Sequence, residues 1–162
     1  IERERKKIKK QQYDRRFHNT KLLLRHYRTL NEHYQHAIFD AGRAEEESES
    51  FTEIMQAMNA NIMDDALYIE SIKQSCMRTK IIMAHVNKML ECYEIMCQRS
   101  KRKDDKRHWR ILDGLYIAED AMTAEELAKQ EHIDKRTVYR DIDICVSDLT
   151  ALLFGVGGIE NL

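Results

Sequence analysis

The residues most able to do chemistry in this chain form one short run, Lys135-Arg136-Thr137-Val138-Tyr139-Arg140. Arg136 and Arg140 are four residues apart, so on a helix they share a face one turn apart. A guanidinium is a planar fork that meets guanine or phosphate through two parallel hydrogen bonds. Thr137 and Tyr139 carry hydroxyls that can donate to phosphate oxygens, and Lys135 adds a further cation. At the first turn of a helix these groups would join the unpaired backbone N–H groups, which themselves attract phosphate. Lys135, Arg136, Thr137, Tyr139 and Arg140 are therefore the candidate contacts to double-stranded DNA.

Two local signals position that run. In Met122-Thr123-Ala124-Glu125-Glu126-Leu127, Thr123 and Glu126 have the spacing of a capping box, and Met122 and Leu127 that of a hydrophobic staple. In Ile133-Asp134-Lys135-Arg136-Thr137-Val138, Asp134 is a favoured N-cap, with Ile133 and Val138 as its staple. The two helix starts lie eleven residues apart. That spacing allows a short helix ending near Gln130, a tight turn and a second helix, which is a helix-turn-helix. Leu127, Ala128, Ile133, Val138 and Ile142 form its inner face, and Trp109, Ile111, Leu112, Leu115 and Tyr116 on a preceding helix supply the third side of the core. His132 occupies the turn position that glycine often fills, where a positive φ costs more. The second helix is expected to run to about Phe154 and stop at Gly155. Its distal half, with Val146, Leu149, Leu152, Leu153 and Phe154, is apolar, and calls for packing on the N-terminal helices or on a second protomer.

The rest of the chain has the character of long helices. It contains no proline and five glycines among 162 residues, so few turns are forced. Leu23, Tyr27, Leu30, Tyr34 and Ala37 follow four-three spacing, which implies a helix as far as about Phe39, preceded before Tyr13 by a basic, frayed arm. Residues 40–50, with Gly42 and an acidic run, have the composition of a loop. Residues 51–100 are helical in pattern, with breaks expected near 59–65 and 76–79. The basic stretch 99–105 is expected to be a linker or hinge. The expectation is thus an all-α chain, with a long-helix bundle in residues 1–100 for assembly or interaction and a DNA-binding unit with an extended last helix in residues 101–162.

Net charge is −1, but the charges are segregated. Residues 1–30 hold eleven Lys/Arg against three Asp/Glu, residues 40–75 two against nine, and residues 98–110 seven against two. Such separation marks regions with different partners. Residues 111–162 carry four Lys/Arg against eleven Asp/Glu, which is poor for nonspecific DNA affinity. The N-terminal stretch is a candidate source of added phosphate contacts.

Several function classes find little in the sequence. There is no phosphate-binding glycine loop, no paired metal-ligand motif, and no serine or cysteine in a nucleophile context, so no enzyme is expected. His18, His26, His33 and His36 lie on a charged helix and are expected to be solvated. Cys76, Cys92, Cys97 and Cys145 form no CxxC pair and are expected as reduced thiols. His85, Cys92 and Cys97 do not have zinc-finger spacing, and neither metal nor other cofactor is expected. No apolar run approaches a membrane span and no secretory pattern is present, so no membrane partner is expected.

Residues 123–159, with Lys135-Arg136-Thr137-Val138-Tyr139-Arg140-Asp141-Ile142 and the ending Leu152-Leu153-Phe154-Gly155, resemble the late-gene transcriptional regulators of Gram-positive phages and prophages. These are the ArpU/RinA-type proteins, whose helix-turn-helix is similar to region 4 of bacterial sigma factors. Upstream, Tyr68-Ile69-Glu70-Ser71-Ile72, Arg78-Thr79 and His85-Val86-Asn87-Lys88-Met89-Leu90 are also similar to such proteins. The resemblance implies activation of late phage promoters, such as those of packaging, morphogenesis or lysis genes. The expected location is the cytoplasm of a bacterial host, with RNA polymerase, through the N-terminal helices, and a second copy of the chain as further candidate partners. Two alternatives stay open: an alternative sigma factor that recruits core polymerase, and a non-catalytic adaptor in phage packaging or assembly.

Overall fold

The computed structural model describes residues 1–39, 49–60 and 62–155. Among them are eight α-helices and no strand: α1 (Glu2–Arg25), α2 (Tyr27–Phe39), α3 (Phe51–Met58), α4 (Asp65–Lys73), α5 (Cys76–Arg99), α6 (Lys103–Leu112), α7 (Ala124–Glu131) and α8 (Lys135–Phe154). A π-helical turn, Asp113–Ile117, continues α6. The all-α expectation holds, as does the extent of the last helix.

Most helix starts have a local cause. Ser50 and Glu53 form a reciprocal capping box at α3, Asp64 accepts from the Leu67 N–H at α4, and Ser75 accepts from the Arg78 N–H at α5. Each removes a backbone donor that the first turn would otherwise leave unpaired. These caps create the two breaks expected between residues 51 and 100, the second falling at residues 74–75.

Three features differ from the sequence expectations. The first helical segment divides at His26, whose backbone (φ −99°, ψ 7°) leaves the helical region for one residue. Its N–H still bonds Leu22 O at 3.0 Å and its carbonyl accepts from Leu30 at 2.8 Å, so hydrogen bonding continues across the break. The residues before Tyr13 are helical from Glu2 onward rather than frayed. Of the stretch 99–105 only residues 100–102 lie between helices, and they form a short tied connection rather than a long linker: Ser100 Oγ donates to Asp105 Oδ2 at 2.5 Å and accepts from the Arg102 N–H at 3.1 Å. The expected loop at 40–50 lies outside the described residues except for Glu49 and Ser50.

The core passes from one half of the chain to the other. Leu22, Leu23 and Leu24 are all buried. Consecutive helix residues point 100° apart, so α1 is covered over most of its circumference at this level, the side of Lys21 and Arg25 excepted. Burial of each such leucine contributes about 1.5–3 kcal/mol. α5 packs on α2, α3, α4, α6 and α8, and α8 packs on α1, α5, α6 and α7. The apolar distal half of α8 is thereby accounted for: Val146, Leu149 and Leu153 are buried against the N-terminal helices. Polar links follow the same route. Thr20 and Thr150 share a buried hydrogen bond of 2.8 Å, His85 Nε2 lies 2.9 Å from Leu153 O, and Tyr93 donates to Asp148 at 3.1 Å. Cys97 and Cys145 are buried free thiols, and burial pushes the Cys145 thiol up to about 12.

Candidate nucleic-acid interface

α7, the turn after it and the first half of α8 form a helix-turn-helix built on the two expected caps. Thr123 Oγ1 accepts from the Glu126 N–H at 3.2 Å, and Glu126 Oε2 accepts from the Thr123 N–H at 2.7 Å. Asp134 Oδ1 accepts from the Thr137 N–H at 2.7 Å. That bond from Thr137 holds the Asp134 carboxyl below its usual range.

The turn between the helices closes as a Schellman motif. The His132 N–H bonds Lys129 O at 3.4 Å and the Ile133 N–H bonds Ala128 O at 3.0 Å. The motif requires a left-handed residue, and His132 takes that place at φ 56°, ψ 43°. It is the only non-glycine residue with positive φ among the described residues. Ala124, Leu127, Ala128, Val138, Ile142 and Cys145 are buried beneath the motif, with Trp109, Ile111 and Leu112 of α6 on the third side.

Burial of Val138 and Ile142 turns Lys135, Arg136, Tyr139 and Arg140 outward, with Thr137 half-buried beside them. The five are not equivalent. Lys135 is ion-paired with Glu125 of α7 and lies over the Tyr139 ring, 5.9 Å from its centroid. Glu125 raises its pKa and so holds it charged. The pair joins the two helices and takes up part of the Lys135 charge. Arg140 makes one long contact of 3.4 Å with Thr137 Oγ1. Arg136 has no ion pair or side-chain hydrogen bond among the described residues. Arg136 and Arg140 are thus the cations left open to a ligand.

Two groups that govern this face were not legible in the sequence. The first sets the rotation of α8. Asp141, buried on α8 next to Arg140, receives Arg107 Nε at 2.7 Å and Nη2 at 3.3 Å, and His108 Nε2 lies 3.2 Å from it. Arg110 of α6 makes a two-pronged pair with Glu131 just before the turn, both bonds at 2.7 Å. Donation by Arg110 holds the Glu131 carboxyl below its ordinary value against the opposing effect of burial. The basic residues of α6 thereby buttress the motif.

The second group bounds the face. α1 crosses α8 beyond Arg140: Lys21 Nζ lies 3.0 Å from Asp143 Oδ1, and the Tyr13 hydroxyl lies 3.0 Å from Ser147 Oγ. Asp143 and Ser147 continue the Arg136–Arg140 side of α8, so the open part of that side is its first two turns. Arg25 of α1 on one side, and Tyr139 and Asp143 of α8 on the other, are within electrostatic range of the Tyr116 hydroxyl, whose pKa burial raises. Lys21 and Arg25 therefore flank the face, and α1 brings positive charge to an otherwise acidic C-terminal region.

No group of three His, Cys, Asp or Glu side chains among the described residues could hold a metal ion, and no described helix is long and apolar enough to cross a membrane. No protein-family model matches the chain, and no curated protein or solved structure is significantly similar to it.

Proposed function

We propose that this chain is a sequence-specific double-stranded DNA-binding transcription regulator, with the first two turns of α8 entering the major groove. The observation that carries this reading is the outward placement of Arg136 and Arg140 on the second helix of a fully capped helix-turn-helix. Two open guanidiniums one turn apart match the spacing at which a groove-bound helix meets successive base edges. The buried Arg107–Asp141 pair supports it further, because a reading helix must keep its rotation about its own axis. Thr137, Tyr139 and Lys135 act with the α8 N-terminus on flanking phosphates. The resemblance to phage late-gene regulators with a sigma-region-4-like motif makes late phage promoters the target class and RNA polymerase the partner for the remaining surface.

The test is fluorescence anisotropy with labelled duplexes that tile the DNA around the gene, run beside scrambled duplexes of the same composition. One segment is expected to bind tightly, and Arg136→Ala/Arg140→Ala should abolish the preference for it. Equal binding to all duplexes, unchanged in the double variant, would remove α8 as a reader. Absence of binding at low salt would turn the reading toward a protein adaptor.

A further inference from the structure

Eight of the ten Lys and Arg residues of α1 fall into two rows, with Lys6 and Arg15 between them. Arg3, Lys7, Lys10, Lys21 and Arg25 are spaced so that they fall within about 60° of arc on a helix. Arg5, Lys9 and Arg16 fall on the opposite side. Arg3, Lys7, Lys10 and Arg25 are exposed and Lys21 is partly so. The first row, and not the second, leads to the candidate interface, since Lys21 holds Asp143 of α8 and Arg25 lies beside Tyr116 near Tyr139.

We propose that this row is a second DNA-contacting element, a phosphate clamp that follows the duplex away from the groove entered by α8. The proposal rests on the DNA-binding reading above and adds to it which face of α1 meets the backbone. From residue 3 to residue 25 the row spans roughly 33 Å at 1.5 Å per residue. One turn of duplex is about as long, so the row can reach phosphates on both sides of a groove. Charge complementarity gives the same answer. Residues 111–162 are acidic, yet a duplex approaching Arg136 and Arg140 meets the α1 row next. α1 is also one body with α8 through Lys21–Asp143, Tyr13–Ser147 and Thr20–Thr150. The backbone from which the row projects is therefore fixed relative to α8 from Tyr13 onward, which lowers the ordering cost of its use. Asp14 is the one carboxylate in the row, and it falls between Lys10 and Lys21.

The experiment compares two variants of equal charge in the full chain: Arg3→Gln/Lys7→Gln/Lys10→Gln on the row and Arg5→Gln/Lys9→Gln/Arg16→Gln opposite it. Glutamine keeps helix propensity, and circular dichroism checks that helix content is retained. The readout is the slope of log K against log salt concentration for the preferred duplex. Each lost phosphate contact reduces the slope by about 0.9. The row variant is expected to lower it by about 2 to 3 and the opposite variant by less than about 1. Preference for the target over scrambled duplex should be unchanged, because phosphate contacts carry no sequence information. Equal slopes in the wild type and the row variant would overturn the proposal, as would equal reductions in both variants. So would single-stranded RNA of the same length competing as well as duplex. The underlying reading fails separately, by absence of sequence preference in the wild type or by insensitivity to Arg136→Ala/Arg140→Ala.

Discussion

Arg107 grips Asp141 with two nitrogens, Nε at 2.7 Å and Nη2 at 3.3 Å, and the carboxylate it holds is 3% exposed. Arg107 stands on α6 and Asp141 on α8, immediately after Arg140. Asp141→Ala would leave Arg107 and His108 without that partner in a partly buried place. The expected loss is about 3 kcal/mol, at the low end for a broken buried pair because Arg107 retains Asp104 and some contact with water. Urea unfolding measures it, and a loss under about 1 kcal/mol would mean that the pair does not hold the helix.

His132 pays for the tight turn with a left-handed backbone, which costs a residue with a Cβ roughly 1–2 kcal/mol. Part of that cost is returned in His132→Gly, since glycine loses more freedom on folding. The glycine variant should be more stable by about 0.5 kcal/mol and His132→Val less stable by at least as much. Thermal unfolding of the three proteins gives the order. A glycine variant less stable than the wild type would show that the histidine ring contributes a contact of its own.

The Arg110–Glu131 pair sets a direction for pH dependence. Donation by Arg110 depresses the Glu131 pKa below its ordinary 4.5 in the folded chain. A depressed carboxylate stabilises the fold above the unfolded value, and that contribution is lost as pH falls through the folded one. Stability should therefore decline as pH falls below the ordinary value of 4.5, less steeply in Glu131→Gln than in the wild type. Urea midpoints across this range read the difference. Parallel curves would remove Glu131 from the acid response. Arg110 is 47% exposed, so the effect is modest.

What the sequence made legible was local. Thr123 with Glu126 and Asp134 with Thr137 are three residues apart, so their caps can be read from neighbours along the chain. The positive φ at His132 was legible because His132 stands at the turn position that glycine often fills. The division at His26 was hidden because Leu23, Tyr27 and Leu30 keep helical spacing through it and no glycine or proline marks it. The contacts that bound and orient the candidate interface were out of reach for a different reason. Arg107 and Asp141 are 34 residues apart, and Tyr13 and Ser147 are 134 apart. No spacing rule pairs a lysine at 21 with an aspartate at 143 rather than with any other acid. The basic stretch at 99–105 was misleading because composition alone cannot separate a solvated linker from a turn tied by Ser100 and Asp105.

The twenty residues of α8 have two duties, an outward end at Lys135–Arg140 and an inward end at Val146–Leu153 fixed among α1 and α5. A helix so mounted is a stiff shaft, with no elastic tether between what it touches and what holds it. Under the proposed reading, force at its first turns passes into the bundle, and a mismatch of shape with a duplex is expected to be met by deforming the duplex rather than the helix.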